Sequence, residues 1–290
     1  MKNISRRTFL GKSVVGLGGA LALSQIPGIL EAARVTNMPI GFQTFPIRDQ
    51  MGKDLSGTLK GMADMGYTYT EMCYPVDYAS IGYGFMKDMT PAEIKKTIED
   101  AGLTCISSHF GMGGLAPDKI DASIEWAKKM GLTQMICSTF WLPKTATLKD
   151  YDDNCDKLNK AAEKIKAAGM QTGFHNHDFE FHELEGKLIY DELMSHFDPS
   201  LVKMQFQTQV ITLGYKAADY FRKYPGRFIS SHLSDWTVDK KEVAIGQGVI
   251  DWKDFFIAAK RSGVKNIFVE EEATPENMKN SAAYLKSLSI

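Results

Sequence analysis

From Met38 onward, short apolar runs of strand-like composition alternate with stretches whose apolar residues recur at helical spacing. The runs are Ile40 to Phe45, Tyr67 to Met72, Thr104 to His109, Gln134 to Ser138, Gln171 to His175, Val202 to Gln207, Phe228 to Leu233 and Asn266 to Glu271. Between them the pattern predicts helices such as Thr90 to Ala101, Ile120 to Met130, Leu148 to Ala168, Lys216 to Tyr224 and Trp252 to Ser262, several opened by Thr-Pro, Asp or Ser. Gly102, Gly131, Gly169 and Gly263 each stand where a helix ends and a strand is about to begin, the place for a left-handed C-terminal residue. Eight strand–helix units within residues 34–290 have the size and rhythm of a (β/α)8 TIM barrel. The alternative, an open doubly wound sheet, lacks the GxGxxG turn expected after its first strand. No linker or shift of composition divides the stretch, so one domain is expected.

Residues 1–33 differ in kind. Ser5-Arg6-Arg7-Thr8-Phe9-Leu10 precedes an apolar, glycine-rich run from Val14 to Leu30 and then Ala32-Ala33. A charged head, a hydrophobic middle and a small-residue end make an export signal. The arginine pair beside Phe-Leu resembles a twin-arginine signal, which implies the twin-arginine export machinery as a partner and a periplasmic destination. Four glycines and a proline interrupt the apolar run, which argues against a stable membrane span. Without this segment the 34 basic and 35 acidic residues become 30 and 34, a net charge of −4. That charge offers no basic face for nucleic acid. Cys73, Cys105, Cys137 and Cys155 have no CxxC spacing, so buried free thiols are expected.

Polar residues able to ligate or titrate gather where the strands stop: Gln43, Glu71, His109, His175, His177, Gln207, His232, Asp235 and Glu270. In a barrel those ends face one mouth, where catalytic groups are found. The set takes in four of the chain's six histidines, and four imidazoles converging with carboxylates suggest a site rather than isolated structural residues.

Several blocks carry a resemblance: Gly41-Phe42-Gln43-Thr44-Phe45-Pro46-Ile47-Arg48-Asp49, Gly173-Phe174-His175-Asn176-His177-Asp178-Phe179-Glu180-Phe181, Ser231-His232-Leu233-Ser234-Asp235-Trp236, Gly246 to Trp252, and Phe268-Val269-Glu270-Glu271-Glu272. From about Met38 to its end the chain resembles the xylose isomerase-like TIM-barrel family, which implies sugar isomerase or epimerase chemistry on a small-molecule sugar. The resemblance also implies one divalent metal ion (manganese, cobalt or zinc). Carried over by position, its ligands are His175, Gln207, His232 and Glu270. The family more usually has glutamate and aspartate at the first two places. Two imidazoles, an amide and one carboxylate leave a more positive site that favours zinc, cobalt or nickel over manganese, unless the pocket is a metal-free one.

The same departure bears on the reaction. A two-base epimerase needs a base on each face of the sugar, and one of the pair is missing. A base on one face suffices for elimination, so a keto-sugar lyase or dehydratase is the alternative, and a non-catalytic carbohydrate-binding barrel the next. A repair endonuclease would need a multi-metal cluster and a cationic face. Glu270, His109 and Glu71 are the expected catalytic residues, with capping of loops the other reading of the last two. Gln43, Arg48, His177, Asp235 and Trp236 are expected to contact the sugar, although Arg48 has an alternative role in holding the first loop and Trp236 one in packing the rim. The glycines of Gly111-Met112-Gly113-Gly114 suit either a phosphate or a mobile loop. The sugar, the oligomeric state and the choice between isomerisation and elimination stay open.

Overall fold

The computed structural model describes residues 38–288 except 273. The export signal read in residues 1–33 lies outside them. Eight parallel strands close into a barrel: β1 Ile40–Gln43, β2 Tyr69–Cys73, β3 Thr104–Phe110, β4 Gln134–Cys137, β5 Gln171–His175, β6 Val202–Gln207, β7 Phe228–Leu233 and β8 Asn266–Val269. Each pairs in parallel with its neighbours in sequence, and β8 closes on β1 through Ile40 opposite Ile267 and Phe42 opposite Val269. A helix follows each strand: α1 Leu55–Met65, α2 Pro91–Asp100, α3 Ile120–Met130, α4 Leu148–Ala167, α5 Ile189–His196, α6 Ala217–Lys223, α7 Trp252–Ser262 and α8 Pro275–Ser287. No helix among the described residues is long and apolar enough to cross a membrane.

The helix starts follow from side-chain chemistry. Thr90 and Thr147 form capping boxes with Glu93 and Asp150, and Asp251 accepts from the Asp254 N–H. Gly131 and Gly263 end α3 and α7 at φ of 80° and 88°, a left-handed turn that L side chains avoid. Pro46 stops β1 at Gln43, earlier than the apolar run suggests, because it lacks an N–H and opens a 3-10 turn over Phe45–Ile47.

Alternate residues of each strand face the barrel axis and the helices. Phe42, Phe174, Met204, Phe206 and Val269 are buried with the helices' apolar stripes in one continuous core. Phe206, for example, packs edge-on against Phe221 of α6 and Phe228 at ring distances of 5.7 and 6.0 Å. All four cysteines are buried free thiols, as the sequence predicts. Two glycines of the strands lie against large side chains. A Cβ on Gly173 would stand 2.5 Å from the Ile136 Cδ1, and one on Gly41 2.6 Å from a Phe268 ring carbon, so both glycines make room for a larger neighbour. Towards the C-terminal ends the axis fills with Gln43, Glu71, Ser107, His109, His175, Gln205, Gln207 and His232, all buried.

Candidate active site at the barrel mouth

Strand periodicity assembles the site. Glu71 on β2 is fully buried and receives four donors, Gln43 Nε2 at 2.9 Å, Ser107 Oγ at 2.5 Å, Gln205 Nε2 at 2.9 Å and His232 Nε2 at 2.5 Å, with His109 Nε2 3.1 Å away. Burial pushes its carboxyl up, but His109 and His232 outweigh burial and hold it well below the usual carboxylate range. His232 donates from its other nitrogen, Nδ1, to Glu270 Oε2 at 2.8 Å. With a carboxylate on each nitrogen the ring is an imidazolium. Burial lowers its pKa, and Glu270 and Glu71 together push it up to about 10. The buried centre is thus a carboxylate–imidazolium–carboxylate row spanning β2, β7 and the end of β8.

His109 stacks on the His232 ring, and His175 lies tilted beside both. The imidazoles of His109, His175 and His232 lie 4.4–5.1 Å apart, and each offers a nitrogen within 4.8 Å of the others, a group that can hold a metal ion. Burial, then the neighbouring histidines His232, His177 and His109, hold His175 neutral, its pKa well below the usual value. Its Nδ1 is buried and has no hydrogen-bond partner, and neither does that of His177. Buried polar atoms normally find partners, so these orphans mark a place made for one. Gln205 orders the third ring: its Nε2 donates to Glu71 and to Ser230 Oγ, so its Oε1 must accept from His109 Nε2 at 2.7 Å. That places a hydrogen on His109 Nε2.

Of the ligands read from the sequence, His175 and His232 belong to this cluster, which His109 joins, and Glu270 adjoins it through His232 Nδ1. Gln207 donates its amide to Glu270 Oε2 at 2.6 Å. Glu270 thus accepts from both Gln207 and His232; burial works to raise its carboxyl, but His232 and then the other histidines keep it below the usual range. It opens into a cavity of about 400 Å³ at the mouth, which Phe45, His177, Trp236, Glu242 and Glu272 also line. Glu242 is the second titratable group there. Burial, with the charges of Glu272 and Glu270, pushes its carboxyl up to about 7.

Of the five expected sugar contacts, His177 and Trp236 face this cavity. The other three do other work. Gln43 is buried, turning its amide N–H to Glu71 and its oxygen to the Thr44 N–H at 2.6 Å, so it positions Glu71. Arg48 lies over the Phe45 ring and donates to the Phe45 carbonyl at 2.7 Å, which holds the first loop. Asp235 is fully buried and accepts from the N–H groups of Trp236, Gly246, Gly248 and Ile250 and from the Trp252 indole. Five donors leave no room for a sugar hydroxyl, and the carboxylate serves to shape the loop after β7. The glycine loop after β3 turns its Gly111 N–H to Asp77 at 2.9 Å, so the protein's own carboxylate sits where a phosphate would.

Gln205, Ser107 and Glu242 escaped sequence reasoning. The first two were within reach of it, because they stand two residues before Gln207 and His109 on strands whose alternate residues share a face. Glu242 had no such signal, since it comes from a two-residue ribbon strand, Glu242–Val243, paired with Asp235–Trp236.

No curated protein matches the sequence. Among solved structures the fold is similar to two sugar phosphate isomerases/epimerases from Parabacteroides distasonis ATCC 8503. One is 24% identical, with 87% of this chain and 94% of that chain covered at a TM-score of 0.72. The other is 26% identical, with 85% and 97% covered at 0.69. The IOLI protein, solved with a zinc atom bound, is 14% identical, with 86% and 96% covered at 0.64. The model of the xylose isomerase-like TIM barrel family matches residues 59–288, and the chain belongs to that family.

Proposed function

We propose that this protein is an enzyme that enolises a keto-sugar, with Glu270 as the base. The supporting observation is the pairing of two carboxyls in one cavity with opposite tendencies: Glu270 is kept ionised by His232, and Glu242 is pushed up to about 7. Groups whose environments drive their pKa values apart are suited to act as base and acid. Glu270 would take the proton from a carbon beside the carbonyl, and the amide of Gln207 and the imidazolium of His232 hold the carboxylate in place for it. The sugar isomerase/epimerase descriptions of the similar structures agree with this class.

His109, His175 and His232 would hold a divalent cation, and a set of three imidazole ligands suits zinc best. A bound cation would polarise the carbonyl and stabilise the enolate. For His232 to join, it must give up the proton on one nitrogen and its bond to Glu71 or Glu270.

Elimination is the second reading, favoured by Glu242. Glu270 removes the proton, its electron pair forms the C=C bond, the C–O bond one carbon further breaks, and the departing oxygen takes a proton from Glu242. Incubation of zinc-loaded protein with ketoses and keto-glycosides in D2O separates the outcomes. Deuterium beside the carbonyl marks enolisation, and an ultraviolet-absorbing unsaturated ketone marks elimination. Absence of both across the panel overturns the proposal. The export reading of residues 1–33 is likewise a proposal, placing this chemistry in the periplasm.

A further inference from the structure

A second cavity opens on the same face of the barrel, between the loops that leave β4 and β5. It has a volume of about 560 Å³, within the range of about 300–1,000 Å³ usual for small-molecule sites, and the catalytic cavity beside it holds about 400 Å³. Phe140, Trp141, Tyr151 and Phe179 give it aromatic walls, and Lys144 and His182 give it polar ones. The two cavities meet at one partition. The Phe179 ring lies flat on the His177 ring, 5.1 Å away at 9°, with His177 lining the catalytic cavity and Phe179 the second one. Below that pair, Glu180 accepts from the His177 N–H at 2.7 Å while lining the second cavity.

We propose that this cavity is a second carbohydrate subsite, so that the substrate is a disaccharide or other glycoside whose second ring lies against Trp141. The inference rests on the keto-sugar reading of the first cavity and names the size of its substrate.

Trp141 is the main support. It is 68% exposed, more than any other large aromatic among the described residues, and it lines the cavity together with Phe140, Tyr151 and Phe179. Its backbone sits at φ 53°, a conformation that costs a bulky residue and is retained where the surroundings demand it. In that pose its N–H reaches the Thr139 hydroxyl at 3.4 Å, which anchors the turn that displays the ring. A pyranose has just the complementary surface: one face is a patch of C–H bonds that stacks on the electron-rich face of an aromatic ring, and its edge carries hydroxyls for polar neighbours. Glu180 supplies one of these. Burial pushes its carboxyl up to about 8, so at neutral pH it keeps a proton to donate to a hydroxyl. A phosphate or other anion is a poorer occupant, because Lys144 is the one Lys or Arg among the lining residues and Glu183 lies beside it.

Calorimetry of the full chain with glucose, maltose, cellobiose and lactose tests this, with wild type compared against Trp141→Ala and Trp141→Phe. Binding of at least one disaccharide tenfold or more tighter than glucose is expected. Trp141→Ala should abolish that margin with little effect on glucose, and Trp141→Phe, which keeps an aromatic face, should restore most of it. Equal affinity for glucose and all the disaccharides, an unchanged margin in Trp141→Ala, or no heat with any disaccharide at millimolar concentration overturns the subsite. The keto-sugar reading fails by a different observation, the absence of deuterium exchange, so Trp141-dependent disaccharide binding without exchange would leave the subsite standing and remove the catalytic proposal.

Discussion

Replacing Glu71 by Leu tests how the buried centre holds together. The substitution keeps roughly the volume but takes away the acceptor for four donors, among them the His232 imidazolium. His232 keeps Glu270 on its other nitrogen, so the ring is left half-paired rather than isolated. Breaking one side of a buried ion pair costs about 3–5 kcal/mol, whereas replacing both members with apolar groups is often neutral. With a urea m-value of about 2–3 kcal/mol/M, Glu71→Leu should lower the unfolding midpoint by about 1–2.5 M at pH 7 in the presence of a chelator. Adding His232→Leu to that variant should recover part of the loss, with a coupling of about 2–3 kcal/mol in the double-mutant cycle. A midpoint within about 0.3 M of wild type, or strictly additive losses, would refute the idea that Glu71 and His232 stabilise one another as charges.

The same pair sets the pH dependence of stability. His232 is raised from 6.5 to about 10, so its contribution is complete below pH 6.5 and is lost as pH rises through about 10; Glu71 is lowered, so its share is lost as pH falls below its ordinary range. Chelated wild type should therefore show its highest urea midpoint between these limits, and a midpoint that climbs from pH 7 to 10 contradicts the assignment. Gln205→Leu should leave Glu71 as the remaining acceptor near His109 Nε2 and should weaken zinc binding about tenfold or more, as loss of a ligand's supporting partner does. Unchanged zinc affinity would show that Gln205 does not order the ring. Lys in place of both Arg6 and Arg7 should keep the protein in the cytoplasm, and fractionation that still finds it outside the inner membrane would remove the export proposal.

The fold was legible because each of its signals is local. Strand β5, strand β6 and helix α3 fall on the residues the apolar pattern marks, and Gly131 and Gly263 take the left-handed turns their positions imply. Strand-end counting also found Glu71, His109, His175, His232 and Glu270, since parallel strands in a barrel deliver their C-terminal residues to one mouth. What it could not give was the direction in which each side chain spends its hydrogen bonds. Asp235 has the composition of a substrate contact, but the long loop from Gly246 to Trp252 folds back and saturates it. Gln207 stands at a ligand's position along the strand, yet its amide finds Glu270 across the barrel. Glu242 reaches the cavity only through a loop ribbon, which periodicity does not reveal.

Glu270→Gln is the substitution on which the catalytic assignment stands or falls. It preserves the shape of the side chain and a contact to His232 while removing the basic oxygen. The decisive measurement is the rate at which zinc-loaded protein carries deuterium from D2O into the carbon beside a keto-sugar carbonyl, followed by proton NMR for wild type and variant. General-base catalysis supplies about 10²–10⁴-fold, so the variant should exchange slower by at least two powers of ten while zinc affinity stays within a few-fold. Exchange within about threefold of wild type would place the base elsewhere in the mouth and contradict the assignment of Glu270.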